Sequence, residues 1–254
     1  MKEIKTIADV INALDAIVQE SSRTKSRSGY FAALYKRMTM AVSEGIRKGE
    51  FEDGSRMEAL DVLFAQRYLT AFEAFKSSQE CSSSWQQAMT GCGDRSLVVL
   101  QHLLLGINAH VNLDLAIAAA TLAPGNAIYA LEKDFNYINV LIASLVNDVQ
   151  KCLEDVWFPM RFLRNVINRQ GVAVLNFSMA AARKAAWTNA VLLANMDREK
   201  RAAHIKDMDA TVRRVGEGIQ RPGFWPGLLL RIIRFTEYED TARTIRLIET
   251  TVVV

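Results

Sequence analysis

Proline, glycine, cysteine and histidine are all scarce in this 254-residue chain, with 4 Pro, 13 Gly, 3 Cys and 3 His. Few prolines and glycines leave long stretches in which nothing interrupts a helix. Alternating β-branched runs are nearly absent, while Ala, Leu, Met, Arg and Glu fill the long segments, which is a helical composition. Cys81, Cys92 and Cys152 make neither a CxxC pair nor an even-numbered framework, so reduced thiols in a cytoplasmic protein are expected. Three histidines cannot assemble a histidine-rich trinuclear zinc site, which excludes helical enzymes of the zinc-phospholipase type. Charge of one sign is also lacking. A net charge of +3 with 23% charged residues gives no basic stripe for nucleic acid.

Catalogue motifs are missing too. There is no glycine-rich phosphate loop, GxGxxG, HExxH or GxSxG, and no paired Glu-x-x-His of the carboxylate-bridged di-iron bundles. The opening segment MKEIKTIADVINALDAIVQE mixes acidic and basic residues and has no apolar h-region, so no secretory signal is read there.

What is present is apolar. Half of the residues are hydrophobic (50%), which excludes a disordered chain and supplies a sizeable core. The weakly charged stretch from Leu97 to Ala123 is long enough to span a bilayer, but Gln101, His102, Asn108, His110, Asn112 and Asp114 interrupt it. It is therefore read as a core helix that is apolar nearly all round.

The expected elements are Thr6–Ser21, Tyr30–Gly49, Arg56–Phe75, a short helix carrying Trp85, and a central helix from Ser96 to about Leu122 capped by Asp94. Pro124-Gly125 ends that helix. Further helices are read over Ala127–Ile167 (broken at Phe158-Pro159), Val172–Asn195, Asp197–Ile219, Leu228–Phe235 and Glu239–Glu249, with RPGFWPG as a turn. The fold class is all-α: a single-domain multi-helix bundle around the central helix. The segment GFWPGLLLRIIRF could rest at a membrane interface, but its short length and the absence of a lysine-rich polar face favour a late core helix with Arg231 and Arg234 on its solvent edge.

Polar groups inside the most apolar helix carry the functional signal. His102, Gly106, His110 and Asp114 recur every four residues, drifting by about 40° per step, so that they share one arc. Gly106 leaves room between the two histidines on this reading, and Asn108 and Asn112 gather on the other side with Gln101. Asp134 shares a face with Ile138 and Leu141, and Asp61 shares a stripe with Phe64, Ala65, Tyr68 and Phe72, so both carboxylates should point inward. Arg67 could partner a buried carboxylate, Asp61 being the nearest in sequence. Such a network is either a structural lattice of hydrogen bonds or the lining of a pocket. His204 sits in the charged stretch EKRAAHIKDMD and reads as a surface histidine.

The phrases LDVLFAQRYLTAF (residues 60–72) and LQHLLLGINAHVNLDLAIA (residues 100–118) resemble a bacterial family known as domain of unknown function 5995, whose members carry similar FAxRY and QHLLLGxNAHxNLDL phrases. The resemblance implies a helical fold and marks Phe64, Arg67, Tyr68, His102, Gly106, Asn108, His110, Asn112 and Asp114 as the matching positions. It brings no activity with it.

Together these readings place a small-molecule pocket between the Asp61, His102 and Asp134 helices. In an enzyme, His110 would be a general base oriented by Asp114, His102 a second base, and Arg67 the holder of an anionic or carbonyl group. Asn108, Asn112, Tyr68 and Asp61 would contact the substrate. A divalent metal (zinc, iron or manganese) would take His102, His110 and Asp134. The rival reading is a non-catalytic helical protein that binds a ligand or a partner, in which the His/Asp stripe is structural.

Overall fold

The structure, a computed structural model, describes residues 4–138, 141, 171–237 and 239–250. Helix α1 (Ile7–Thr24) begins at a reciprocal cap: Thr6 Oγ1 accepts from the Asp9 amide and the Asp9 carboxylate accepts from the Thr6 amide, both at 3.2 Å. Its buried stripe is Ile7, Val10, Leu14, Ile17, Val18 and Ser21. A short connection folds α2 (Ser28–Lys48) back along it. Gly49 ends α2 in the left-handed conformation (φ 71°), which a residue without Cβ adopts at no steric cost. Asp53 caps α3 (Gly54–Lys76) by accepting from the Arg56 amide at 2.9 Å. The short helix carrying Trp85 is α4 (Ser83–Gly91).

The central rod starts three residues later than expected. Asp94 bonds the amide and hydroxyl of Ser96 in a turn, and α5 (Val99–Ala109) begins after Val98, whose amide donates to Gln101 Oε1 at 3.1 Å. The rod continues through a wider π turn, His110–Asp114, into α6 (Leu115–Leu122). Its 24 residues are long and apolar enough to cross a membrane, and they are mostly buried inside the fold. A 3-10 segment (Gly125–Leu131) and helical residues 132–138 follow, where one continuous helix from Ala127 was expected. The expected break at Phe158-Pro159 and the remainder of that helix to Ile167 lie outside the described residues, as does Cys152.

Helices α7 (Gly171–Asn195) and α8 (Arg198–Gln220) come next, α8 capped by Asp197. Four of the seven residues of the expected RPGFWPG turn are helical, because α9 (Phe224–Thr236) starts at Phe224, and its early proline falls where a backbone donor is not needed. α10 (Thr241–Thr250) closes the order, and the described residues contain no strand.

The first half of the rod packs against α2, α4 and α8, and the second half against α3 and α7, while α10 lies on α1 and α2. Two apolar clusters result, one around α1, α2, α4 and α5 and one around α6 and α7. Phe64 packs against both, and the π turn sits at that junction. The expectation for α9 needs correction. Arg231 is exposed, but Leu228, Ile232 and Phe235 are exposed as well, and Arg234 is turned inward to donate from Nε to the Arg95 carbonyl at 2.6 Å. His204 is half-buried and pairs with Asn189 Oδ1 at 3.1 Å instead of standing in solvent.

Candidate functional site

The site is built around Asp114, whose side chain is fully buried at the end of the π turn. Three groups from three elements converge on its carboxylate. Arg67 Nε on α3 donates to Oδ1 at 2.7 Å, Trp85 Nε1 on α4 donates to Oδ2 at 2.7 Å, and His110 Nδ1 lies 3.1 Å from Oδ2. A carboxylate only accepts, so His110 carries its proton on Nδ1 and presents Nε2 as a bare acceptor. π turns inside α-helices occur often at functional sites, and here the wider turn sets His110 and Asp114 against each other.

The His110 ring is enclosed. Phe64 stacks on it with centroids 3.5 Å apart and planes at 6°, Tyr35 meets it edge-on at 4.4 Å, and Phe31, Trp85 and Tyr68 complete the enclosure. Burial pulls the imidazole pKa below its ordinary value against the opposing hydrogen bond to Asp114. His110 Nε2 and Asp61 Oδ2 are buried without a hydrogen-bond partner among the described residues. Burial, reinforced by the Glu58 charge, pushes the Asp61 carboxyl up to about 8, so that it holds its proton at neutral pH. Burial and then the Asp61 and Asp114 charges raise the Tyr35 hydroxyl well above its ordinary value.

A cleft of about 350 Å³ opens beside this network, lined by α3 (Leu63, Gln66, Arg67, Thr70, Ala71, Ala74), α6 and the start of α4. Arg67 links the two. Its side chain is 35% exposed while that of Asp114 is 0% exposed. Nε is committed to Asp114, and no hydrogen bond to a described residue engages the two terminal nitrogens.

The structure therefore brings Arg67, His110 and Asp114 together and adds Trp85, Tyr35 and Phe31, whose contributions come from helices remote in sequence and carry no local signal. It keeps Tyr68 beside them and separates His102, Asp134, Asn108 and Asn112. Arg67 pairs with Asp114 and not with Asp61. The space expected at Gly106 is filled: a Cβ there would stand 2.4 Å from two atoms of the Phe31 ring. His102 lies eight residues back, about 12 Å along the axis, edge-on to Tyr30 in a recess with Arg27, Arg234 and Glu237. Burial, with Arg27 adding to it, lowers its pKa to about 4.

Asp134 is buried, as its stripe implied, but it staples residues 132–138 to the start of α3. It accepts from the Glu52 amide at 2.7 Å, the Asp53 amide at 3.2 Å and Arg56 Nη2 at 2.9 Å. His102, His110 and Asp134 thus have three different sets of neighbours and do not form the expected metal set. Among the described residues no group of three or more His, Cys, Asp or Glu could hold a metal ion.

Asn108 and Asn112 face α8, where Asn108 Nδ2 donates to the Val212 carbonyl at 2.8 Å and Asn112 Nδ2 to Asn108 Oδ1 at 2.9 Å. They clamp helices and do not line the cleft. Tyr68 belongs to the buried aromatic cluster, 5.0 Å from Trp85 between centroids, and burial raises its hydroxyl pKa.

Neither a curated protein nor a solved structure matches the chain. The family described as a family of unknown function (DUF5995) matches residues 7–222, a span that holds the π turn, the cleft and every residue of the Asp114 network. The chain belongs to that family.

Proposed function

We propose that this protein binds a small anionic or carbonyl-bearing molecule in the cleft beside Asp114, with Arg67 as the recognition group. One observation carries the reading: a buried carboxylate grips Arg67 through Nε and leaves its terminal nitrogens, the edge suited to a planar anion, at the cleft without a hydrogen-bond partner among the described residues. Holding the guanidinium in advance lowers the ordering cost of binding. Trp85 and His110 act through Asp114 and are positioning residues. His110 is not assigned as a general base here, because five rings enclose it and it does not line the cleft.

The Trp85 indole N–H, bonded to the same carboxylate as Arg67, is a built-in reporter. In a proton–nitrogen correlation spectrum, with the indole signal assigned through Trp85→Phe, titration with acetate and separately with inorganic phosphate should shift it saturably for at least one of the two. Arg67→Lys, which keeps the charge but loses the fork, should weaken that response at least tenfold. An indole signal unmoved by either anion in the folded wild-type protein would overturn the reading.

A further inference from the structure

The donors, charges and walls of the cleft narrow the ligand class, and this step rests on the binding reading above. We infer that the ligand is a monocarboxylate with a short aliphatic body, not a phosphate.

The donors are few. A phosphate carries a charge of about −1.5 to −2 and three acceptor oxygens, and the usual way to meet them is a helix N-terminus with free amides. The start of α4 lies in the cleft wall, but its amides are already engaged. Asp209 on α8 accepts from the Ser83 amide at 2.7 Å and the Ser84 amide at 3.0 Å, and Ser82 Oγ accepts from the Trp85 amide at 3.4 Å. The Trp85 indole is taken by Asp114, the Gln66 amide donates to the Ile4 carbonyl, and the Thr121 hydroxyl donates to the Ile117 carbonyl. What is left is the outer edge of one guanidinium and the Thr70 hydroxyl, a donor set that suits the two oxygens of one carboxylate better than the three of a phosphate.

Charge points the same way. Arg67 is the cationic residue of the cleft lining, and Asp114 and Glu80 in the same lining oppose it. A dianion would meet two carboxylates for one guanidinium, whereas a monoanion loses less. The apolar part of the wall is Leu63, Ala71, Ala74, Ile117 and Ala118. Alanines at three of these five positions leave room for a chain instead of occupying it.

Calorimetric titration with acetate, butanoate, hexanoate, hexanol and inorganic phosphate tests the assignment on wild type, Arg67→Lys and Ala74→Leu, each confirmed as folded by circular dichroism. Each added methylene should tighten Kd by about fourfold, the factor that burying one CH₂ supplies. Hexanol and phosphate should bind at least tenfold more weakly than hexanoate. Arg67→Lys should weaken hexanoate at least tenfold. Ala74→Leu, which lies in the wall away from the charge, should weaken hexanoate while leaving acetate unchanged.

Phosphate binding as tightly as butanoate, with the same dependence on Arg67, would overturn the monocarboxylate assignment and leave the anion-binding reading standing. A carboxylate series without chain-length dependence would likewise overturn the aliphatic body alone. Failure of every anion, or binding indifferent to Arg67, would sink both.

Discussion

Arg67 Nε donates to Asp114 Oδ1 at 2.7 Å across 47 positions of sequence, joining a side chain that reaches the cleft to one that solvent does not touch. The pair couples the π turn of the central rod to the cleft wall on α3. Removing either partner therefore affects both the stability of the bundle and the cleft.

Asp114→Asn keeps the shape but loses the charge that Arg67, Trp85 and His110 all address. Hydrogen bonds to a charged group are worth about 1.5–3 kcal/mol each, and the amide cannot accept from all three donors with the same geometry. A loss of about 3 kcal/mol in urea unfolding is expected, together with a displaced Trp85 indole resonance. An unchanged unfolding midpoint would show that the network contributes little.

Asp61 supplies a pH signature. Its carboxyl sits at about 8 in the folded protein against an ordinary value of 3.8, so the folded state binds the proton more tightly than the unfolded chain does. Stability should fall as pH rises from about 4 to about 8, by up to about 1.4 kcal/mol per unit. Asp61→Asn removes this slope, and the difference from wild type should grow steadily between pH 5 and pH 8. Parallel urea curves at each pH measure it. A variant and wild type that track each other would place the folded pKa of Asp61 near its ordinary value.

The imidazole of His110 runs in the opposite sense. Its folded pKa is lowered by burial, so its neutral form dominates at pH 7, and stability is lost as pH falls below the unfolded value of about 6.5. Nitrogen chemical shifts should show the proton on Nδ1 and an unprotonated Nε2 at neutral pH. Protonation of both nitrogens at pH 7 would contradict the enclosure by Phe64 and Tyr35.

Gly106→Ala tests the seam between the rod and α2. The added methyl would stand 2.4 Å from Cγ and Cδ2 of Phe31 and 2.9 Å from its Cβ, so the ring must move. Overpacking of this kind costs about 1–3 kcal/mol, expected as a lowered Tm. Phe31 also touches His110, so the imidazole resonances should shift in the same variant.

Much of the helical framework was legible in local pattern. The ends of α1, α2 and α3 depend on neighbours within one turn, and they stand within three residues of the expected Thr6–Ser21, Tyr30–Gly49 and Arg56–Phe75. Elements with less local definition departed further. Asp94 resembled a helix cap yet forms a turn with Ser96, and α9 resembled a core helix yet exposes Leu228, Ile232 and Phe235.

The candidate site divided in the same way. Spacing by four along an ideal helix put His102 and His110 on one arc, but eight residues of axial rise separate them, and Phe31 fills the gap at Gly106. On that arc His110 and Asp114, one turn apart, meet as their spacing implied.

The sequence alone determined that this chain is helical, which helix is central, and that the centre carries His110 and Asp114, because backbone propensity and apolar periodicity act over a few residues. Tertiary structure decided the rest. It chose Asp114 and not Asp61 as the partner of Arg67, brought Trp85 to the same carboxylate, sent Asp134 to the α3 cap and turned Asn108 toward α8. A buried carboxylate must be met by donors, and which donors reach it depends on how whole helices cross, over separations of 29 and 47 residues that no local pattern encodes.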